Sequence, residues 1–118
     1  GDTLLVRRAR GAETLVTLDG ATRQLTPDML VIADAAHPVG IAGVMGGRDT
    51  EVTAQTTEIV LEVASFDPGL VRRTRRALGL STDASHRFER GTDPAGPAEL
   101  VALAAALIAS VSGGAVQG

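Results

Sequence analysis

The chain has 118 residues and an ordinary apolar fraction of 44%, enough for one small hydrophobic core, so we predict a single domain over residues 1–118. The net charge of −3 argues against a general nucleic-acid binder, whose domains are usually basic. The absence of cysteine excludes disulfides and thiolate metal sites and fits a cytoplasmic location. The longest nearly apolar run, residues 100–109, is about half the length of a membrane-spanning helix.

The first part of the chain is predicted to form strands. Short runs of apolar and β-branched residues, separated by turn residues, predict strands at residues 4–8, 14–18, 22–25, 30–33 and 39–44. Asp19-Gly20 is a strong hairpin signal, because glycine accepts the positive φ that the turn requires. A turn at 26–28 and a loop at 34–38 are predicted to separate the later strands.

The clearest helix is predicted to begin after Asp67 and to end at Gly79. Asp67 is a good N-cap, Pro68 suits the first helical position, and Gly79 suits the stop. An apolar face and an arginine-rich face follow the helical period.

Four further segments complete the second half of the chain. Residues 48–57 are predicted to be a loop, 58–64 a buried strand containing one acid, and 81–94 a polar loop. A second helix is predicted over 97–111, buried on most sides because Glu99 is its only charged residue. With strands mainly first and helices last, we predict an α+β fold.

The segment GIAGVMGG contains four glycines between Gly40 and Gly47. Glycine lets another group approach the backbone closely, which suits a binding loop. The spacing matches neither a dinucleotide-binding nor a phosphate-binding loop. A tightly bent strand, packed closely against another, is the alternative.

Glu62 lies within the apolar segment Ile59 to Ala64. A buried carboxylate needs a partner, so Glu62 is a candidate ligand-binding group. Alternatively, strand alternation directs Glu62 to water at a sheet edge.

Polar and charged residues follow the first helix. Thr82 and its neighbours suit a loop with a cap, because serine, threonine and aspartate side chains commonly bond the local backbone. Arg87, Glu89 and Arg90 are predicted to form mainly a structural ion-pair network, with phosphate contact as the second interpretation. The two histidines, His37 and His86, are far apart and show no metal-ligand spacing, so no metal site is predicted.

The first helix carries four arginines, which are candidate contacts for nucleic-acid phosphates: Arg72, Arg73, Arg75 and Arg76. A solvated helix face is the simpler interpretation of the same pattern.

Three motifs occur in order between Gly40 and Pro94: GIAGVMGG, VLEVASFDPGLVRRTRRALGL and STDASHRFERGTDP. Together they resemble the B3/B4 editing region of the bacterial phenylalanine–tRNA ligase beta subunit. The resemblance covers nearly the whole chain and implies a β-sandwich-like core with flanking helices. It also implies hydrolysis of the ester bond that joins a mischarged tyrosine to tRNA(Phe).

The resemblance also implies roles for five residues of an editing pocket. Glu62 would bind the phenolic hydroxyl of the tyrosyl group, which phenylalanine lacks. The other four would shape the pocket: Gly43, Gly46, Thr82 and Ala84. No catalytic side chain is assigned, and water would attack the ester carbonyl.

The family also has an upstream segment similar to Pro-Leu-His-Ala-Phe-Asp, which has no counterpart in this sequence, and the ATP-binding motifs of the synthetic core are absent too. We therefore expect the chain to be the C-terminal part of a B3/B4-like domain, without aminoacylation activity and with no cofactor of its own. ATP and magnesium belong to the parent ligase's synthetic site. The implied partners are tRNA(Phe), the ligase alpha subunit and the remaining beta-subunit domains, and the four arginines of the first helix are the candidate tRNA contacts. A non-catalytic structural or tRNA-docking module of the synthetase is the alternative function.

Overall fold

The computed structural model of the chain describes residues 3–117, with strands first and helices last. The strands are β1 (Leu5–Arg8), β2 (Thr14–Val16), β3 (Thr22–Gln24), β4 (Leu30–Ala33), β5 (Pro38–Ile41) and β6 (Met45–Gly46). A 3-10 turn (Arg48–Thr50) precedes three helices, α1 (Pro68–Leu78), α2 (Asp83–Phe88) and α3 (Gly96–Ser112). The α+β class predicted from the sequence is confirmed.

The strands form two antiparallel sheets that enclose one core. The larger sheet has the order β1-β4-β5-β6, and β2 and β3 form a separate hairpin. An isolated bridge between Thr17 and Gly47 joins the hairpin to the end of the larger sheet. The buried apolar side chains come from both sheets and from α1, and they are Ala9, Leu25, Met29, Val31, Ala33, Ile41, Val44, Val71 and Leu80.

The β2–β3 hairpin turns at Asp19-Gly20, as the sequence predicts. Gly20 has a φ of +83°, the left-handed conformation that glycine adopts readily. The Asp19 carboxylate accepts hydrogen bonds from the Thr17 hydroxyl and from Arg23, each at 2.6 Å. Arg23 also donates to the Leu78 carbonyl at 3.2 Å, which ties the hairpin to the C-terminal end of α1.

The glycine segment is a hairpin and not one extended strand. The prediction of continuous extended structure over 39–44 is wrong, because the chain reverses after β5 and returns as β6. Gly43 has a φ of +71°, and the Val44 amide donates to the Ile41 carbonyl at 3.0 Å. The left-handed conformation of Gly43 is what allows this tight reversal.

Helix α1 has the caps that its sequence predicts. The Asp67 carboxylate accepts a hydrogen bond from the Gly69 amide at 3.1 Å, and Gly79 ends the helix in the left-handed conformation with a φ of 65°. Leu70, Val71 and Thr74 are buried. Because these three residues occupy the inner face of α1, the arginines lie mainly on the opposite, outer face.

Three other predictions for the second half are wrong. Residues 58–64 form no strand ladder in the described structure, and most of their side chains are exposed or half-buried. Within the segment predicted to be a polar loop, α2 forms, because Thr82 supplies an N-cap. Helix α3 forms as predicted and ends at Gly113 with a φ of 70°, but none of its residues is buried. Helix α3 stays exposed because, among residues 3–117, no other element packs over the face that carries Leu100, Leu103 and Leu107.

Candidate functional site

All three motif segments meet at the turn of the β5–β6 hairpin, where Phe66 and Val71 of the second segment and Thr82 of the third pack beside Gly43 and Val44. The Thr82 hydroxyl donates to the Val44 carbonyl at 2.7 Å, and it accepts from the Ser85 amide at 3.0 Å. Thr82 is therefore both the N-cap of α2 and its link to the glycine hairpin. Ala84, in the first turn of α2, is exposed.

Gly43 lies at the turn itself and is closely packed. A Cβ atom built on Gly43 would lie 2.9 Å from Val71 Cγ2 and 3.2 Å from Phe66 Cδ2. The Phe66 and Phe88 rings pack with their centroids 5.1 Å apart beside it. Close packing is therefore sufficient to explain why glycine is needed at position 43. This agrees with the alternative interpretation of the glycine segment, a tightly bent and closely packed strand.

Two further glycines of the segment, Gly46 at the end of β6 and Gly47 directly after it, differ from each other. Gly46 is exposed, and a Cβ built on it would lie 3.5 Å from Leu18 Cδ1, an ordinary contact distance. A Cβ built on Gly47 would lie 2.6 Å from the Val39 carbonyl oxygen, too close to be accommodated. Of Gly43, Gly46 and Gly47, only Gly46 therefore leaves space for a neighbouring group.

Glu62 lies in the extended segment that leads into α1. Its side chain is exposed by surface area, yet nearby protein atoms displace enough water to raise the pKa of its carboxyl. Leu61 and Val63 on either side are half-buried, which fits the alternation of an extended chain. Among the described residues, no hydrogen bond joins Glu62 to the hairpin or to Thr82, although Phe66, four residues later, contacts Gly43.

Two shallow cavities lie away from these residues. One of about 250 Å³ lies between β2 and the β5 side of the larger sheet, with His37, Val39 and Gly47 in its wall. The other, of about 310 Å³, lies between the Thr26–Met29 turn and α1, with Arg73 and Thr74 in its wall. Neither is lined by Gly43, Gly46, Glu62, Thr82 or Ala84, so the shared concavity predicted for these residues stays a prediction.

The four arginines of α1 have different surroundings. Arg75 forms a two-pronged pair with Glu89, its Nε at 2.5 Å and its Nη2 at 3.3 Å from the carboxylate oxygens. Arg72 is exposed and donates to the Glu89 main-chain carbonyl at 3.3 Å. Arg73 and Arg76 are exposed. Glu89 thus takes part in an ion pair as predicted, but its partner is Arg75 of α1, and among the described residues it forms no ion pair with Arg87 or Arg90.

Sequence reasoning missed the role of Ser85. This residue is fully buried, and its hydroxyl accepts from the Thr82 amide at 3.0 Å, completing a reciprocal cap. The signal was present as Thr82-Asp83-Ala84-Ser85, the spacing of a capping box with serine where glutamate is usual.

Within residues 3–117, no three acidic or histidine side chains come close enough together to hold a metal ion. The helices of the same residues include none that is long and apolar enough to cross a membrane.

Known relatives match almost the whole chain. The chain is 53% identical over 116 residues to the phenylalanine–tRNA ligase beta subunit of Moorella thermoacetica, covering 98% of this chain and 14% of that protein. The corresponding subunits of Salinibacter ruber and Protochlamydia amoebophila are 51% identical over 115 residues and 52% identical over 117, covering 98% and 99% of this chain. The chain spans about 14–15% of the length of these relatives.

The family comparison covers the same region. Residues 1–113 match the B3/4 domain family, which includes every element from β1 to α3. The three motifs between Gly40 and Pro94 lie inside that match, as the resemblance in the sequence indicated. The chain therefore belongs to the B3/4 domain family.

Proposed function

We propose that this chain is a tRNA-editing segment of a phenylalanine–tRNA ligase beta subunit, acting on tyrosine mischarged on tRNA(Phe). The observation that carries the proposal is identity of about 50% to such subunits over 98% of the chain, with the three pocket motifs inside the matched region. The reaction is hydrolysis of the tyrosyl ester, which releases tyrosine and free tRNA.

Glu62 is the group that distinguishes tyrosine from phenylalanine in this proposal. Its carboxyl is partly desolvated, and among the described residues it has no hydrogen-bond partner. A phenolic hydroxyl would supply that partner. Phenylalanine would leave the acid unpaired, and sites that hydrogen-bond a substrate hydroxyl reject analogues lacking it strongly.

The remaining pocket residues determine shape and position. The Thr82 hydroxyl fixes α2 against the β5–β6 turn, which places Ala84 at the start of the helix. Gly46 is exposed on β6, where the absence of a side chain leaves room beside Leu18. Gly43 keeps the turn closed over Phe66. With no side chain assigned as a general base, the site would accelerate hydrolysis by positioning water and the ester.

The proposed setting is the intact synthetase in the cytoplasm. The alpha subunit, the other beta-subunit domains and tRNA(Phe) are the proposed partners. ATP and magnesium would serve the synthetic site of the ligase, away from this segment.

A non-catalytic tRNA-docking role is a second candidate, favoured by one observation. Arg72, Arg73 and Arg76 lie exposed on one helix, where they could contact phosphates. Docking alone predicts that their removal weakens tRNA binding while Glu62 has no effect on tyrosine release.

The deciding experiment uses the intact ligase that contains this chain. tRNA(Phe) charged with tyrosine is incubated with the enzyme, and release of free tyrosine is compared with release of phenylalanine from correctly charged tRNA. We expect rapid release of tyrosine only. Equal, slow release of both amino acids would contradict editing and leave the docking role.

A further inference from the structure

We propose that the Arg75–Glu89 ion pair is a positioning pair, which holds α2 in its orientation on the β5–β6 hairpin and thereby fixes the place of Ala84 in the first turn of α2. This inference rests on the proposed function for its catalytic consequence. It assigns to Arg75 a role within the domain and removes it from the candidate tRNA contacts.

Helix α2 needs external support because it is short. It has six residues, whereas isolated helices below about 12 residues are marginal in water. Its own sequence stabilises only the first turn, through the reciprocal cap of Thr82 and Ser85. The place of its C-terminal end is therefore set by contacts with other elements.

Those contacts converge on Glu89, the residue that ends α2. Its carboxylate accepts two hydrogen bonds from the Arg75 guanidinium, and its main-chain carbonyl accepts one from Arg72. Helix α1 therefore binds both the side chain and the backbone of Glu89. The Arg75 and Glu89 side chains are only 26% and 15% exposed. Partial burial and paired geometry make this ion pair stronger than an ordinary surface pair.

The two ends of α2 are thus held by different elements. The N-terminal end is held by the Thr82 hydroxyl on the Val44 carbonyl, and the C-terminal end by the Arg75–Glu89 pair. Between them, Phe88 packs against Phe66. If the C-terminal link is lost, α2 can pivot about Thr82, and Ala84 moves with the first turn.

The same geometry argues against a phosphate contact by Arg75. Arg75 donates from both Nε and Nη2 to the Glu89 carboxylate. That pair of donors is therefore not available to bind a phosphate in the same two-pronged way. The exposed arginines of α1 are free of that constraint. Removing Arg75 should therefore change catalysis while leaving tRNA affinity unaltered.

The test compares Arg75→Met, Glu89→Gln and the double variant in the intact ligase. We expect each single variant to lower kcat for tyrosine release between about 10-fold and 100-fold, since a displacement near 1 Å can cost about 100-fold. KM and the Kd for tRNA(Phe) should stay within about twofold. The double variant should be no slower than the slower single variant, because both remove one interaction. Arg75→Lys, which keeps the charge without the fork, should recover part of the rate.

Matched controls are Arg10→Met and Glu99→Gln, which remove the same charges from exposed side chains and should leave kcat unchanged. An unchanged kcat in the pair variants overturns the inference. So does a raised Kd for tRNA with an unchanged kcat, which would make Arg75 a tRNA contact.

Amide hydrogen exchange tests the positioning independently of editing. The His86 and Glu89 amides, which bond to the Thr82 and Ser85 carbonyls at 2.9 Å, report on α2. In Arg75→Met these amides should exchange at least about tenfold faster, while the Val71 amide of α1 stays protected. If α2 remains equally protected, the inference fails, whether or not the parent enzyme releases tyrosine. If the parent enzyme releases none while α2 loosens, only the proposed function fails.

Discussion

The Thr82 hydroxyl lies 2.7 Å from the Val44 carbonyl oxygen and joins α2 to the turn of the glycine hairpin. The same hydroxyl accepts from the Ser85 amide. One side chain thus caps a helix and attaches it to a sheet. Because the Ser85 side chain below it is completely buried, the hydroxyl belongs to a closed network and not to a solvated loop.

We expect Thr82→Val to destabilise the chain by about 1–3 kcal/mol, because it removes a cap and leaves the Val44 carbonyl without this donor. Urea denaturation measures the change in the free energy of unfolding. Ser81→Ala, next to Thr82 at an exposed position, is the matched control and should change it by less than about 0.5 kcal/mol. Equal effects of the two substitutions would show that the link to Val44 contributes nothing.

Gly43→Ala and Gly79→Ala separate backbone strain from crowding. Both residues have a positive φ, +71° and +65°, so alanine should cost about 1–2 kcal/mol at either position. Only at Gly43 would the new methyl group meet Val71, 2.9 Å away, whereas nothing lies within 4 Å at Gly79. We expect a further loss of about 1–3 kcal/mol at Gly43, measured by chemical denaturation. A similar loss at both positions would mean that the hairpin adjusts to the methyl group.

Stability should fall in acid partly through Glu13. The two-pronged bond from Arg7 lowers the pKa of Glu13 from an ordinary 4.5 to about 2. Because the folded-state pKa is the lower one, this contribution is complete above about pH 5 and is lost as the pH falls toward 2. Glu13→Gln should flatten the dependence of the urea midpoint on pH in that window. Glu99→Gln, at an exposed position on α3, should leave the slope unchanged, and the same slope in both variants would contradict the assignment.

Under the proposed editing function, Glu62→Ala in the intact ligase should weaken discrimination against tyrosine by about 1–3 kcal/mol, the usual contribution of a hydrogen bond to a charged group. The measurement is kcat/KM for tyrosine release from tyrosyl-tRNA(Phe), with phenylalanyl-tRNA synthesis as the internal reference. Glu58→Ala, an exposed acid in the same segment, is the matched control. Parent-like tyrosine release by Glu62→Ala would leave Glu62 without a recognition role.

Two leucine-to-alanine substitutions should have very different effects on the free energy of unfolding of the 118-residue chain. Leu25 is 2% exposed in the core, so Leu25→Ala should destabilise by about 2–5 kcal/mol. Leu103 is 68% exposed on α3, so Leu103→Ala should change the free energy of unfolding by less than about 0.5 kcal/mol. A large loss at Leu103 would mean that α3 packs against another surface in solution.

Features that depend on a few neighbouring residues were determined by the sequence itself. Asp67, Pro68 and Gly79 bound α1 because caps act within one helical turn. Asp19-Gly20 produces a hairpin because its dihedral angles are local. The motifs that lead to the family also lie within short segments of the chain, so candidate residues for the proposed pocket could be named without coordinates.

Tertiary structure decided the features that depend on distant partners. Residues 58–64 have the composition of a strand, but a strand exists only where another strand supplies its hydrogen bonds. The leucines of α3 have the pattern of a buried helix, but burial requires a surface to cover them. The pairing of Arg75 with Glu89 and of Thr82 with Val44 arises only when α1, α2 and the hairpin pack together. Local signals bound the elements, while contacts between elements determine which side chains are buried, paired or left free to bind.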